Sequence, residues 1–276
     1  MPIIVSVFLP VFLLMTGCSG ENDPEEYPDN PNTGQLVLVW SDEFSNTGLP
    51  DANKWGYDVD GNASGWGNNE LQYYTAGRLA NAEVRDGFLY ITAHREDYEG
   101  FDYTSARLRT KGKGDWLYGR VEVKAKIPDG RGMWPAIWML PTDWEYGGWP
   151  ASGEIDIMEN VGYEPYVIHA SVHTESYNHT IGTQKSSKTT VSTCYTDFHV
   201  YAIEWDLKEI RGYVDDKHYF TFQNEGTGYK VWPFNKRFHL LLNVAVGGNW
   251  GGVQGVDDSI FPRSMVVDYV RVYQVK

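Results

Sequence analysis

Three carboxylates lie close together in residues 153–160, which read GEIDIMEN. Carboxylates alternate with apolar residues in the period-two pattern of a half-buried strand, so Glu154 and Asp156 share one face while the isoleucines between them face a core. Strict alternation would bury Glu159, which is costly for an unpaired carboxylate. One extra residue at Met158, a β-bulge, would return Glu159 to the acidic face. We therefore predict a bulged strand that presents three carboxylates in one row.

Two carboxyl groups at this spacing could hydrolyse a glycosidic bond. The Cα atoms of Glu154 and Glu159 would lie about 13 Å apart at about 3.3 Å per residue, once the bulge is allowed for. Two glutamate side chains leaning together over a concave sheet could approach the roughly 5–5.5 Å carboxyl separation of a retaining glycosidase. Crowding is also expected to separate the pKa values of the three acids, so that one stays protonated while another is ionised.

Two other interpretations of this strand remain open. An acidic face can be solvated surface, and three acids could hold the metal of a metal-dependent hydrolase, although the His ligands usual for zinc or iron are missing nearby. An exposed acidic face does not need large aromatic neighbours, yet four tryptophans lie just upstream. They are Trp134, Trp138, Trp144 and Trp149.

Aromatic and amide-bearing residues interleave elsewhere in the chain as well. Trp134 and Trp138 are four residues apart, so they share a face if they lie on a strand. Asn243 and Trp250 bracket a glycine-containing segment, and Arg107 lies beside a basic run. Flat aromatic faces with amides and Arg beside them suit a sugar, which has apolar C–H faces and polar hydroxyls. The combination predicts a binding cleft around the carboxylate strand.

The composition limits the class of protein. The chain has 276 residues, with 11 Trp, 19 Tyr, 11 Phe and 29 Gly, which favours a β-rich fold with many turns. A net charge of −14 argues against a nucleic-acid partner, because nothing would offset the repulsion of the phosphates. The charge is compatible with a neutral polysaccharide.

The N-terminal segment predicts export. Residues 1–17 form an apolar run that is too short to span a membrane and is followed by polar residues, as in a signal peptide. Cys18 follows Thr-Gly and resembles the lipidated residue of bacterial lipoproteins. Residues 18–35 are acidic and rich in Pro and Asn, which predicts a flexible tether, with one domain over 36–276. We expect a lipid-anchored protein at the outer membrane or cell surface, and a monomer.

Short strand-like runs punctuated by Gly, Pro, Asn and Asp follow from Leu36 onward. Many short strands without an amphipathic helix longer than two turns predict a sandwich or barrel. After processing, Cys194 would be the one remaining cysteine, which excludes an intramolecular disulfide and favours a buried free thiol. The predicted strands cover residues 89–93, 105–110, 119–127, 136–140, 168–173, 199–205, 211–214, 238–246 and 266–275.

These segments resemble glycoside hydrolase family 16, in the branch of bacterial laminarinases and endo-β-1,3(4)-glucanases. The resemblance covers nearly the whole mature domain and rests on several blocks in order. Besides GEIDIMEN they are residues 40–44 (WSDEF), 69–75 (NELQYYT), 104–107 (TSAR), 132–141 (GMWPAIWMLP), 198–205 (FHVYAIEW) and 243–250 (NVAVGGNW). The resemblance implies an all-β jelly-roll sandwich of two antiparallel sheets with a concave cleft, and retaining endo-hydrolysis of β-1,3 or mixed-linkage β-1,3/1,4-glucans.

The resemblance also implies roles for individual residues. Glu154 would be the nucleophile, Glu159 the general acid and base, and Asp156 the residue that hydrogen-bonds the nucleophile. A bulge at Met158 is typical of laminarinase-type members, and His173 would hydrogen-bond within the catalytic group. The residues expected to bind substrate are Asn68, Asn69, Arg107, Trp134, Trp138, Trp149, His173, Asn243 and Trp250.

No cofactor is expected in catalysis, but many members of the family hold a structural calcium ion on the convex face. The matching positions here are Glu43, the carbonyl of Gly87, and Asp268. All three offer oxygen, the donor that this cation requires.

Two alternatives compete with glucan hydrolysis. One is a non-catalytic β-glucan-binding lectin at the cell surface, which would not need all three carboxylates. The other is a hydrolase of the same fold that acts on a different polysaccharide. The sequence does not decide between β-1,3-glucan and mixed-linkage glucan as the preferred substrate.

Overall fold

A computed structural model describes Pro2 and residues 34–276. Apart from Pro2, the predicted signal peptide, Cys18 and the tether up to residue 33 therefore fall outside the described residues. Within the part of the chain that is described, no helix combines the length and the apolar character needed to cross a membrane.

The described residues form strands joined by turns and three short helical turns, at Gly65–Asn69, His179–Ile181 and Asp258–Ile260. The strands are β1 Leu36–Asp42, β2 Gly56–Asp58, β3 Gln72–Tyr74, β4 Ala82–Arg85, β5 Phe88–Tyr98, β6 Phe101–Ser105, β7 Arg107–Arg109, β8 Asp115–Trp116, β9 Gly119–Lys126, β10 Met133–Pro141, β11 Glu154–Glu159, β12 Val167–His173, β13 Lys185–Thr190, β14 His199–Trp205, β15 Glu209–Val214, β16 Lys217–Gln223, β17 Phe238–Val246 and β18 Arg263–Val275.

The strands form two sheets that pack face to face as a sandwich. The eight-stranded inner sheet has the order β13-β12-β11-β10-β17-β7-β2, with β8 also paired to β17. The ten-stranded outer sheet has the order β16-β15-β14-β9-β18-β5-β6-β3, with β1 on β18 and β4 on β5. The strand pairs are antiparallel except β3 with β6, which are parallel. The prediction of an all-β sandwich is confirmed.

The core lies between the sheets and follows from the alternation of side chains along each strand. On β9, Val121, Val123 and Ala125 are fully or almost fully buried, and the residues between them are charged and partly exposed. On β17, Leu240 and Leu242 belong to this core, while Asn243 faces the opposite side of the inner sheet. Because β17 is covered on both faces, all nine of its residues are buried.

Most predicted strands coincide with observed ones, and residues 199–205 and 238–246 match β14 and β17 at both ends. The strand predicted at residues 105–110 is wrong as a single unit, because β6 ends at Ser105 and β7 begins at Arg107. The sequence did not predict β13, whose polar residues KSSKTT are mostly exposed. Backbone pairing with β12 holds β13 in place, and such pairing leaves no apolar pattern.

Candidate active site

Strand β11 carries the predicted bulge. Against β12, Asp156 pairs with Ser171 and Glu159 pairs with His169, so three steps along β11 face two steps along its neighbour. The register against β10 shifts at the same place, where Met158 pairs with Ile137. One extra residue in β11 is the cause of both shifts.

The bulge returns the third carboxylate to the cleft. Ile157 and Met158 are adjacent, yet both are fully buried in the core between the sheets. As a result, Glu159 lines the same cavity as Glu154 and Asp156. The prediction of a bulged strand with three carboxylates on one face is confirmed, and an unpaired carboxylate in the core is avoided.

The cavity has a volume of about 760 Å³ and crosses the open face of the inner sheet. Eight of the nine predicted binding residues line it, namely Asn68, Arg107, Trp134, Trp138, Trp149, His173, Asn243 and Trp250. Asn69 is the exception: it does not line the cavity, and its side-chain amide donates to Asn249 Oδ1 over 2.9 Å. Residues that the sequence did not single out also line it, among them Trp66, Glu70, His169, Ser171, His179 and Asn249.

A histidine on β12 faces the carboxylates. His173 Nε2 lies 3.3 Å from Asp156 Oδ2 and 3.8 Å from Glu154 Oε1, and only 7% of the residue is exposed. Glu154, Asp156 and His173 have ligand atoms within 4.8 Å of one another and form the one group in the described chain that could hold a metal ion. The same atoms also suit proton sharing, because Asp156 and Glu154 hydrogen-bond each other when one of them carries a proton.

Burial raises the pKa of Glu154, Asp156 and Glu159 far above the usual range of carboxyl groups. The charge of Asp156 raises the pKa of both glutamates further, while His173 lowers it. Trp134 also lowers the pKa of Glu159, because its indole Nε1 donates to Glu159 Oε1 over 2.9 Å. Burial acts on all three acids in the same direction, and the separation of their pKa values by crowding stays a prediction.

This shared shift predicts how stability depends on pH. The pKa of Glu154 is higher in the folded than in the unfolded protein, so the folded state binds the proton of this carboxyl group more tightly. The stability that this proton gives to the folded state is complete below about pH 4 and is lost as pH rises through the folded pKa of about 8. Glu154→Gln removes the buried charge, and we expect a gain in unfolding free energy of about 1–3 kcal/mol at pH 8 but little change at pH 4. Urea unfolding of the wild-type protein and the variant at both pH values measures this difference in unfolding free energy.

Glu83→Gln is a matched control, since Glu83 is a partly exposed residue on β4 that pairs with Arg85. It is expected to change stability little at either pH. Equal or lower stability of Glu154→Gln at pH 8 would contradict a charge penalty at this position.

On the β17 side of the carboxylates the cavity has an aromatic wall. Trp138 Nε1 donates to Asn243 Oδ1 over 2.7 Å. The Arg107 guanidinium lies between two indoles, 4.6 Å from the ring centre of Trp138 and 4.7 Å from that of Trp66. Asp58 Oδ2 lies 3.1 Å from Arg107 Nε. One face of Trp138 is therefore occupied by Arg107 and is closed to a stacking sugar.

On the β13 side the wall is built of smaller polar groups around one indole. Trp149 packs against His179, with ring centres 5.0 Å apart, and lies 6.0 Å from His173. Ser171 and Ser186 line the floor here. The cavity thus continues on both sides of the carboxylate row, so a chain of sugars can cross it.

The expected calcium donors come near one another beside β18 in the outer sheet, where β1 ends and β5 begins. Asp42 pairs with Val270, which places Glu43 beside Asp268, and the pairing of Val267 with Leu89 brings the turn at Gly87 to the same region. Both carboxylates already have cationic partners: Arg271 donates twice to Glu43 at 2.9 Å, and Lys124 Nζ lies 2.7 Å from Asp268 Oδ2. In this arrangement the carboxylate oxygens of Glu43 and Asp268 are engaged in ion pairs, so a calcium ion would have to displace the cationic side chains.

Comparisons with known proteins agree with this geometry. A model described as glycosyl hydrolases family 16 matches residues 66–271. The chain is 58% identical over 274 residues to a β-glucanase from Rhodothermus marinus, covering 95% of this chain and 93% of that protein. The structure of the laminarinase from the same organism has a TM-score of 0.86 and 56% identity, covering 88% of this chain and 99% of that one.

A second solved structure adds a bound oligosaccharide. SCLam, a non-specific endo-β-1,3(4)-glucanase from family GH16, was co-crystallised as a mutant with 1,3-β-D-cellotriosyl-glucose. It has a TM-score of 0.83 and 49% identity to this chain, covering 90% of this chain and 99% of that one. Residues 66–271, which the family model matches, include β11 and its neighbours β10 and β12.

Proposed function

This chain belongs to glycosyl hydrolase family 16, and from this membership and the geometry of its cleft we propose how it acts as an endo-β-1,3(4)-glucanase. We propose that it cleaves β-1,3-glucans and mixed-linkage β-1,3/1,4-glucans by double displacement with retention of configuration. The observation that carries the proposal is the bulge in β11, which brings Glu154 and Glu159 into one cavity. A cavity that continues on both sides of these acids suits cleavage within a polymer.

In the first step, a carboxylate oxygen of Glu154 attacks the anomeric carbon of the sugar. Glu159 donates its proton to the glycosidic oxygen, which leaves with the departing chain. Burial favours the protonated form that this role requires, and the indole N–H of Trp134 fixes the Glu159 carboxyl group. Asp156 and His173 lie beside Glu154 and hold the shared proton away from its attacking oxygen.

In the second step, Glu159 acts as a base. It removes a proton from water, which attacks the anomeric carbon and releases Glu154. Two inversions at the same carbon give net retention. The negative charge that Glu154 regains is stabilised by His173, whose charge lowers the pKa of this carboxyl group.

Product analysis on laminarin, barley mixed-linkage glucan and cellulose tests the function. The protein would begin at Ser19, and Glu154→Gln would serve as the inactive control. We expect cleavage of the first two polymers with oligosaccharides as early products, and no cleavage of cellulose. Binding to laminarin without cleavage would support the lectin alternative, and cleavage of neither glucan would support a hydrolase for another polysaccharide.

We also propose that the protein is exported and anchored by a lipid on Cys18, at the outer membrane or cell surface. The support is the sequence of residues 1–18, in which an apolar run ends at Thr-Gly-Cys. Metabolic labelling with a fatty acid is expected to label the wild-type protein and not Cys18→Ser. Equal labelling of the two would refute the anchor.

A structural calcium ion at Glu43, Gly87 and Asp268 remains a proposal, and its binding must break two existing ion pairs. Both pairs are partly solvated, so each contributes about 0–1 kcal/mol and could be displaced by a divalent cation. We expect 2 mM Ca²⁺ to raise the midpoint of thermal unfolding by about 4 °C relative to EDTA, since a bound ion stabilises only the folded state. Asp268→Asn should abolish the shift, and equal midpoints with and without calcium would show that the ion pairs close this site instead.

A further inference from the structure

A chain of hydrogen bonds leads from the cleft wall to a buried carboxylate that the mechanism does not use. Trp138 Nε1 donates to Asn243 Oδ1 over 2.7 Å, and Asn243 Nδ2 donates to the hydroxyl of Tyr74 over 3.0 Å. The Tyr74 hydroxyl donates in turn to Glu70 Oε2 over 3.2 Å. Each link donates in the same direction, and the chain ends at Glu70.

Glu70 collects further donors. Gln72 Nε2 donates to Glu70 Oε2 over 2.7 Å, and Asn68 Nδ2 donates to Oε1 over 3.3 Å. Gln72 is itself fixed, because its Oε1 accepts from the backbone N–H of Val246. Only 9% of Glu70 is exposed. Burial raises the pKa of Glu70, and these donors together with the charge of Arg107 offset part of that rise.

The other end of the chain is a side chain with little freedom. One face of Trp138 lies against the Arg107 guanidinium, and its indole edge is held by Asn243. The indole N–H of Trp138 is a donor only, so it holds the amide oxygen of Asn243, and the amide nitrogen then needs an acceptor, which the Tyr74 hydroxyl oxygen supplies. Tyr74 in turn accepts from Asn243 because its own hydroxyl hydrogen is taken by an acceptor, and a carboxylate is an acceptor only. The hydrogen bond that holds the amide nitrogen of Asn243 therefore depends on Glu70.

We propose that Glu70 is a positioning residue for glucan binding, which acts through Tyr74 to orient Asn243 and Trp138. The inference rests on the proposed function, because it assumes that a β-glucan lies against this wall. Glu70→Gln leaves one acceptor oxygen for the three donors Asn68, Gln72 and Tyr74 and sets an NH₂ group against at least one of them, and Tyr74→Phe removes the link itself. Either change weakens the hold on the amide nitrogen of Asn243, so that the Asn243 side chain and the edge of Trp138 that it accepts from are held less firmly.

The experiment compares Glu70→Gln, Tyr74→Phe and the double variant, using laminarin hydrolysis and calorimetric binding of laminarihexaose in the Glu154→Gln background. We expect each single variant to raise KM and weaken binding about 10-fold, the effect of about one lost hydrogen bond, with kcat within about twofold. The effect of the double variant on KM and on binding should be no larger than the larger of the two single effects, because both changes break the same chain of hydrogen bonds. Tyr201→Phe is the matched control, since the buried hydroxyl of Tyr201 has no hydrogen-bond partner among the residues that the structure describes.

Several results would overturn the proposal. Kinetics and binding of the single variants equal to those of Tyr201→Phe would show that the chain does not affect the substrate. A double variant whose effect is the product of the single effects would show that Glu70 and Tyr74 act separately, and a loss of kcat at constant KM would place Glu70 in the chemistry. A wild-type protein that binds laminarihexaose but does not cleave laminarin would refute the proposed function alone, and the calorimetry would still decide the role of Glu70.

Discussion

Glu154→Gln is expected to reduce the turnover of laminarin by about 10⁴-fold or more, as observed when the nucleophile of a covalent mechanism is removed. Glutamine has nearly the same shape, but its amide does not form the glycosyl ester. Binding should be retained, because the walls on both sides of β11 do not depend on the charge of Glu154 and the loss of a buried charge relieves desolvation. We therefore expect affinity for laminarihexaose within about threefold of that of the wild-type protein.

Initial rates by reducing-sugar assay and binding by calorimetry measure the two effects separately. Glu83→Gln again serves as the control, since it makes the same chemical change at a partly exposed site on the other sheet. Residual activity above about 1% of wild type on laminarin, with correct folding, would contradict the role of Glu154 as nucleophile. Loss of binding together with activity would show that Glu154 also holds the substrate.

The sequence is sufficient to predict the row of three carboxylates, because one physical rule limits the alternatives. An alternating strand places Glu154 and Asp156 together, and the cost of burying Glu159 requires an extra residue. The register shifts between β11 and its neighbours are at the predicted place. The aromatic pattern of β10 likewise predicted that Trp134 and Trp138 share the cleft, as they do.

Other parts of the site depend on neighbours that are distant in sequence, and the sequence pattern did not contain them. Glu70 stands in a segment that was noted for its asparagines, but its role depends on Tyr74 and Asn243, the latter 173 positions further along the chain. His179 comes to the cleft through a one-turn helix without an apolar pattern. The common direction of the three carboxyl pKa shifts depends on how deeply the row is buried, which a strand pattern does not give.

The calcium expectation shows the same limit at the opposite sheet. A match of residue types pointed to three oxygen donors, and the pairing of β18 with β1 and β5 brings the segments that carry them near one another. The pattern did not include Arg271 and Lys124, which hold the two carboxylates. The same residue types are compatible with a bound calcium ion and with the ion pairs to Arg271 and Lys124. The relative free energies of these two states decide between them, and a match of residue types does not contain that information.

Glu159→Gln is expected to separate the two roles of this residue as acid and base. A natural glucan has a poor leaving group and needs the proton from Glu159, so we expect the rate on laminarin to fall by about 10³-fold or more. An aryl glycoside with an activated leaving group, such as a 2,4-dinitrophenyl laminaribioside, leaves without that proton. Glu154 can then still form the glycosyl-enzyme, and we expect a fast burst of dinitrophenol followed by slow turnover, because no base activates the water.

Azide tests the same step chemically. As a small anion that needs no base, azide should restore turnover of the aryl substrate by Glu159→Ala and give a glycosyl azide of retained configuration, whereas Glu154→Ala should give the inverted one. Stopped-flow absorbance measures the burst, and the anomeric proton signals in NMR identify the product. If Glu154→Gln and Glu159→Gln lose equal activity on the aryl glycoside, the two roles are not divided as proposed. If the configurations are exchanged, Glu159 is the nucleophile and the indole of Trp134 holds the attacking carboxylate instead of the acid.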